Sequence, residues 1–150
     1  PQDRLVAQAV EQALMSKIAV IAAAGNAGPG APPAYPAAQA GVIAVTATDS
    51  VDHLYRYANR GPYVTLAAPG VDILVARPTG YGYLSGTSMA TAYVSGLSAL
   101  MISRAGDLTP TRLRRLLEET AADLGPPDRD AEFGAGRVDA MAAFNHLAAN

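Results

Sequence analysis

Two short apolar runs, Ile18–Ala24 and Val42–Thr48, most limit what this chain can become. Neither alternates polar with apolar residues, as a strand with one wet face must. The first ends at Gly25-Asn26, and the second is rich in β-branched residues. Runs of that kind read as strands covered on both faces, the pattern of a parallel sheet flanked by helices. Residues 4–15 supply one such helix, with Leu5, Val6, Ala9, Val10, Ala13 and Leu14 at three- and four-residue spacing. Val64–Ala67 and Val71–Ala76 read as further strands on either side of Pro69-Gly70. Tyr81–Leu84 pairs back as a hairpin with the residues before Pro78. The stretches from Gly25 to about Ala40 and from Asp49 to Pro62 read as loops.

After Ser88 the period changes. Ser88–Arg104 is small and apolar nearly all round, which predicts a buried helix. Thr109-Pro110 is an N-cap followed by proline at the first helical position. The helix it opens runs to about Ala122, with Leu113, Leu116 and Leu117 inward and Arg114/Glu118 and Arg115/Glu119 paired outside. Val138–Leu147 reads as the last helix. The fold class is therefore α/β in three layers, a mainly parallel sheet between helices. Thirty-two alanines among 150 residues imply a core of small, closely packed side chains.

Charge and composition remove several function classes. A net charge of −2 offers no footprint for nucleic acid or for an anionic membrane surface. The longest apolar run, seven residues, is far short of the roughly 20 that cross a bilayer. Without cysteine there is neither a disulfide framework nor thiolate chemistry. Gly80-Tyr81-Gly82 lacks the third glycine of a dinucleotide fingerprint, since position 85 is Ser85. No Gly-x-Ser-x-Gly elbow surrounds Ser88.

Three segments carry candidate chemistry: Ala22-Ala23-Ala24-Gly25-Asn26, Leu66–Val71, and Ser85-Gly86-Thr87-Ser88-Met89-Ala90-Thr91-Ala92. Ser88 falls in the first turn of a helix, where unpaired N–H groups and the dipole favour negative charge. A hydroxyl there can attack a carbonyl, with nearby N–H groups and the Asn26 amide holding the oxyanion. A serine at that position is also an ordinary cap.

These segments resemble the subtilisin-like serine proteases. Gly86–Ala90 is similar to the family's nucleophile motif, and Ala23–Asn26 to its oxyanion-asparagine motif. Tyr35-Pro36-Ala37, Val42–Val45, Ala68-Pro69-Gly70 and Gly134–Val138 follow in the family's order and spacing. The resemblance implies a serine endopeptidase working through an acyl-serine intermediate. Ser88 would be the nucleophile, and the Asn26 amide and the Ser88 N–H the oxyanion donors. It implies a substrate pocket walled by Ala23, Ala24, Gly25 and Ala34, suited to a large apolar or aromatic side chain. It also places the sulfur of Met89, otherwise a core residue, near the active site.

The departures are as informative. The family order is Asp, His, Ser, and neither His53 nor His146 stands in a catalytic context. The resemblance therefore makes residues 1–150 the C-terminal part of one catalytic domain, with the Asp and His upstream and the isolated chain inactive or nearly so. The alternative is a pseudoprotease or inactive fragment that binds peptides or self-associates. Expected partners are a polypeptide substrate, the N-terminal portion of the same domain, and a second copy through an exposed sheet edge; nucleic acid and membrane are not. Ala92-Tyr93 stands where the family usually has Pro-His. Tyr35-Pro36 resembles a position with a cis bond. Carbonyls near Ala37, Gln39 and Val42 resemble a weak calcium or sodium site, but Tyr63 and Thr65 stand where carboxylates would serve it, so no metal or other cofactor is assigned. Secreted or periplasmic location is the family expectation.

Overall fold

The β-branched run forms β2 (Ile43–Thr48), the middle strand of the sheet in the computed structural model, which describes residues 2–149. Every residue of β2 is buried. Strand β1 (Ile21–Ala23) pairs parallel to it on one side and β3 (Leu66–Pro69) on the other, giving the order β1-β2-β3. Strands β4 (Ile73–Ala76) and β5 (Tyr81–Leu84) form a separate antiparallel hairpin, as the sequence predicts.

Helix α1 (Arg4–Met15) begins where Asp3 accepts from the N–H groups of Leu5 and Val6. Helix α2 (Thr87–Ala105), α3 (Pro110–Glu119) and α4 (Ala140–Ala149) gather on one face of the sheet. There Ile43, Val45, Ala47, Leu66 and Ala68 meet Ala90, Val94, Leu97, Met101, Leu113, Leu117 and Ala143 in one core. Helix α1 lies apart from that cluster, beside the loop around Gln39 and Gly41: the Gln39 amide donates to the Ala7 carbonyl at 2.9 Å. The result is the three-layer α/β architecture with a parallel sheet.

Four expectations need correction. The first apolar run is not a strand covered on both faces: only Ile21–Ala23 pair, all half-buried, and Ile18 is 57% exposed. Its outer edge has no partner strand among the described residues. Helix α2 is not buried all round, because one side packs on the sheet while Tyr93, Leu100 and Ile102 face outward. Likewise Val10 is the one buried residue of α1, and Leu5 and Val6 are exposed. The third strand lies at Leu66–Pro69 rather than Val64–Ala67, since the Thr65 hydroxyl is drawn to the Ala44 N–H at 3.0 Å.

Two helix ends also shift. α3 stops at Glu119, because Ala122 exchanges backbone hydrogen bonds with Arg137 at 2.8 Å. α4 starts at Ala140, because Val138 still donates to Ala67 of β3 and Asp139 then caps the helix through the Ala142 N–H. The sequence-predicted pairs Arg114–Glu118 and Arg115–Glu119 form at 3.2 and 2.7 Å.

Two neighbours on α2 report the two sides of this helix. Met101 is fully buried and Leu100 is 62% exposed. Met101→Ala should cost about 2–5 kcal/mol, and Leu100→Ala should stay within about 0.5 kcal/mol. Urea unfolding of both variants checks this; equal losses would mean that α2 is covered on both sides.

Candidate active site

The three motif segments meet at the carboxyl ends of the parallel strands, where open α/β sheets place their sites. β1 runs out through Ala24 and Gly25 to Asn26, β3 ends at Pro69-Gly70, and the hairpin β4–β5 delivers Ser85-Gly86 to the start of α2. Gly86 reaches into this junction: its N–H donates to the Gly70 carbonyl at 2.7 Å. A side chain at Gly70 would meet the Ala47 Cβ at 2.7 Å and the Gly86 carbonyl at 2.9 Å, so only glycine lets the two segments touch. Ser85 ties the base of the hairpin, accepting from the Asp72 N–H at 2.8 Å and donating to the Asp72 carboxylate at 3.2 Å.

Asn26 and Thr87 are locked together. The Asn26 Oδ1 accepts from the Thr87 N–H at 2.9 Å and from the Thr87 hydroxyl at 3.0 Å. A backbone N–H only donates, so the atom facing it must be the carbonyl oxygen. That choice turns the Nδ2 amide away from Thr87, beside Gly86. The Thr87 hydroxyl oxygen in turn accepts from the Gly25 N–H at 3.3 Å. Thr87 is fully buried and Asn26 exposed, so these bonds tie the surface loop after β1 to the buried start of α2. Ser88 follows directly, exposed, in the first turn of α2. Among the described residues its hydroxyl has no hydrogen-bond partner. A nucleophile candidate thus follows directly on the residue that fixes Asn26, at the N-terminus of a helix whose inner face is buried.

Sequence reasoning names Asn26 and Ser88 but gives no role to Thr87, Asn59 or Tyr63. Asn59 clamps the loop after β1. Its Oδ1 accepts from the Ala27 N–H at 2.8 Å, its Nδ2 donates to the Pro32 carbonyl at 3.3 Å, and its own N–H donates to the Gly25 carbonyl at 3.0 Å. Tyr63 donates from its hydroxyl to the Ala24 carbonyl at 2.7 Å. Each contact spans 27 or more positions of chain and has no local signal. Of the predicted pocket residues, Ala24 is fully buried, while Ala23, Gly25 and Ala34 keep partial surface. Tyr35-Pro36 is cis.

Neither histidine reaches Ser88. His53 turns its Nδ1 to the Asp49 carboxylate at 3.3 Å, on the rim of a cavity of about 400 Å³ shared with Ser85 and Asp72. His146 sits in the last turn of α4, beside Arg112 and Arg115 of α3. The start of α3 and the end of α4 close around the far end of α2, which at 19 residues is about 28 Å long. At the candidate cation position the Tyr63 hydroxyl donates to the Ala24 carbonyl and the Thr65 hydroxyl accepts from the Ala44 N–H.

The Asp49 loop makes a pH prediction. N–H groups of His53 and then Val51 donate to the Asp49 carboxylate and hold it below its ordinary value of 3.8. A depressed carboxylate stabilises the fold above its unfolded pKa and loses that contribution as pH falls through the folded value. The urea midpoint of the natural chain should therefore fall more steeply below about pH 4 than that of Asp49→Asn. Parallel curves would show that the loop contributes nothing to stability.

Comparison with known proteins follows the same line. A family model described as the subtilase family matches residues 2–136. Alkaline elastase YaB of Bacillus sp. strain YaB is 38% identical over 137 residues, covering 91% of this chain and 35% of that protein. Subtilisin DY of Bacillus licheniformis is 37% identical over 140 residues, covering 91% of this chain and 50% of its own. Halolysin of Haloferax mediterranei is 42% identical over 99 residues, 65% of this chain and 18% of that protein. The solved structure of the prenylagaramide maturation protease PagA superposes with a TM-score of 0.84 at 30% identity, covering 98% of this chain and 57% of PagA. This chain therefore spans half or less of these curated relatives.

Proposed function

Because the chain belongs to the subtilase family, we propose that it is the nucleophile-bearing part of a serine endopeptidase, with the general base and its carboxylate outside residues 1–150. One observation carries this reading: Thr87 fixes the Asn26 carbonyl oxygen with two hydrogen bonds, and Ser88 follows Thr87 in the first turn of α2 with a hydroxyl that nothing among the described residues engages. The Ser88 oxygen attacks the scissile carbonyl and gives its proton to the base. The carbonyl oxygen, now negative, is held by the Asn26 Nδ2 and the Ser88 N–H. The C–N bond breaks as the base returns the proton to the leaving amine. Water then repeats the sequence on the acyl ester and frees Ser88.

Alone, the chain would supply the oxyanion donors, and among the described residues no histidine hydrogen-bonds Ser88. Triad knockouts retain only about 10³–10⁴ over water, so isolated residues 1–150 should hydrolyse peptides at that level or below. The reading includes polypeptide substrates with a large apolar or aromatic residue before the cleaved bond, accepted between Ala23, Gly25 and Ala34. It includes secretion, in line with relatives named as extracellular proteases. No helix among the described residues is long and apolar enough to cross a membrane.

A serine-directed fluorophosphonate tests the reading. The probe should label a protein that joins residues 1–150 to a base-bearing segment, and Ser88→Ala should abolish the labelling. Asn26→Ala in the same protein should lower turnover by about 10²–10³ with the fold intact. A folded joined protein that the probe leaves unlabelled would replace this reading with a peptide-binding, non-catalytic one.

A further inference from the structure

The far end of α2 carries a group of cations that the site at its near end does not use. Helix α3 presents Arg112 and Arg115, three positions apart and therefore neighbours on one face. Arg114, between them, turns the other way, to Glu118 and the Val42 carbonyl. Arg104 stands in the last turn of α2 and His146 in the last turn of α4. Two cavities open among these side chains. One, of about 330 Å³, is lined by Arg112, Arg115, Leu116, Glu119, His146 and Leu147. The other, of about 380 Å³, is lined by Arg104, Asp107, Arg112, Phe144 and Leu147 among others. They share Arg112 and Leu147, so they adjoin as one cleft with a cation and an apolar side chain at its middle.

The positive charge of this cleft is only partly met. Elsewhere Arg60, Arg129 and Arg137 sit in close ion pairs with Glu132, Glu118 and Asp52. Here Arg112 comes no nearer to Asp107 than 4.0 Å, too long for a hydrogen bond. The Arg104 side chain makes no ion pair or hydrogen bond among the described residues. Arg115 gives its Nε to Glu119 at 2.7 Å, and its other N–H groups have no partner among the described residues. The C-terminal dipoles of α2 and α4 account for Arg104 and His146. They do not account for Arg112, which stands in the first turn of α3, where the helix has no acidic residue and its dipole disfavours a cation.

We infer that this cleft binds an extended acidic segment of another polypeptide, in which an apolar side chain has a carboxylate two positions away on each side. In an extended chain residues i, i+2 and i+4 point the same way, so all three face the cleft. The apolar side chain lies on Leu147, between the two cavities. One carboxylate takes the guanidinium groups of Arg112 and Arg115, and the other takes that of Arg104, each as a charge-assisted hydrogen bond. A nucleic acid fits less well, because Leu116, Phe144 and Leu147 floor the cleft and the chain's net charge is −2. The site does not rest on the catalytic reading. Helix α2, about 28 Å long, separates it from Ser88.

The probe is the acetylated, amidated peptide Glu-Ser-Leu-Ser-Glu, titrated by calorimetry into the natural chain and into Ser88→Ala. Both should bind it one to one with a Kd below about 1 mM. Binding should weaken at least about fivefold as salt rises from about 0.02 M to about 0.2 M. Equal binding by Ser88→Ala keeps this result apart from that of the fluorophosphonate experiment. Backbone amide shifts in the NMR spectrum should gather at residues 112–116 and 144–148. Arg112→Gln with Arg115→Gln should weaken binding at least about tenfold. Both side chains are exposed, 49% and 76%, so the melting temperature of that variant should move by less than about 2 °C. Arg4→Gln, exposed on α1, should bind as the natural chain does. Glutamine in place of both glutamates of the peptide should abolish binding, and serine in place of its leucine should weaken it at least about fivefold. No binding at about 1 mM peptide would overturn the proposal. Binding that the two glutamines on α3 leave unchanged would overturn it as well, as would shifts centred away from the cleft. A serine-substituted peptide that binds as tightly as the original would do the same, by reducing the cleft to a plain anion site.

Discussion

The site depends on a single contact, the double hydrogen bond from Thr87 to the Asn26 carbonyl oxygen. It joins the end of the first strand to the start of the longest helix, across 61 positions of chain. An asparagine side chain is symmetric in shape, and without this contact either end could face the reaction. With it, the acceptor is consumed and the Nδ2 donor is the end left over. Preorganisation of that kind does its work before the substrate arrives, because no dipole must turn during the reaction.

The surrounding fold exists to hold that junction still. Gly70 lets its segment into backbone contact with Gly86 where a Cβ would collide. Asn59 and Tyr63 hold the other side of the loop after β1, from residues more than thirty positions away. Behind the junction, α2 rests on the fully buried β2, so the first turn that carries Ser88 is anchored by core packing as well as by its own hydrogen bonds. The same helix turns apolar residues outward beside an unpaired strand.

Elements with a strong local signal were legible before any coordinates. The spacing of Leu5 to Leu14 placed α1, Thr109-Pro110 placed the start of α3, and Pro69-Gly70 separated the strands on either side. The hairpin and the i,i+4 pairs of α3 were equally plain. The boundaries that moved did so under long-range forces. Arg137 draws Ala122 out of the helical pattern, and Ala67 holds Val138 in the sheet until Asp139 can cap α4. Burial was overread where a run was apolar on all sides. Apolar composition says that a face seeks cover, not that residues 1–150 contain the cover, as Ile18 and Leu100 show.

Sequence alone determined the class of fold and the motifs that hold Asn26 and Ser88. Each follows from residue type and near-neighbour spacing, which a chain carries in any conformation. Tertiary structure alone decided which end of Asn26 Thr87 takes up, which residues hold the loop there, and which apolar faces remain open. Those are properties of pairs far apart in sequence. Their geometry exists only once the strands have set the distance between the end of β1 and the first turn of α2.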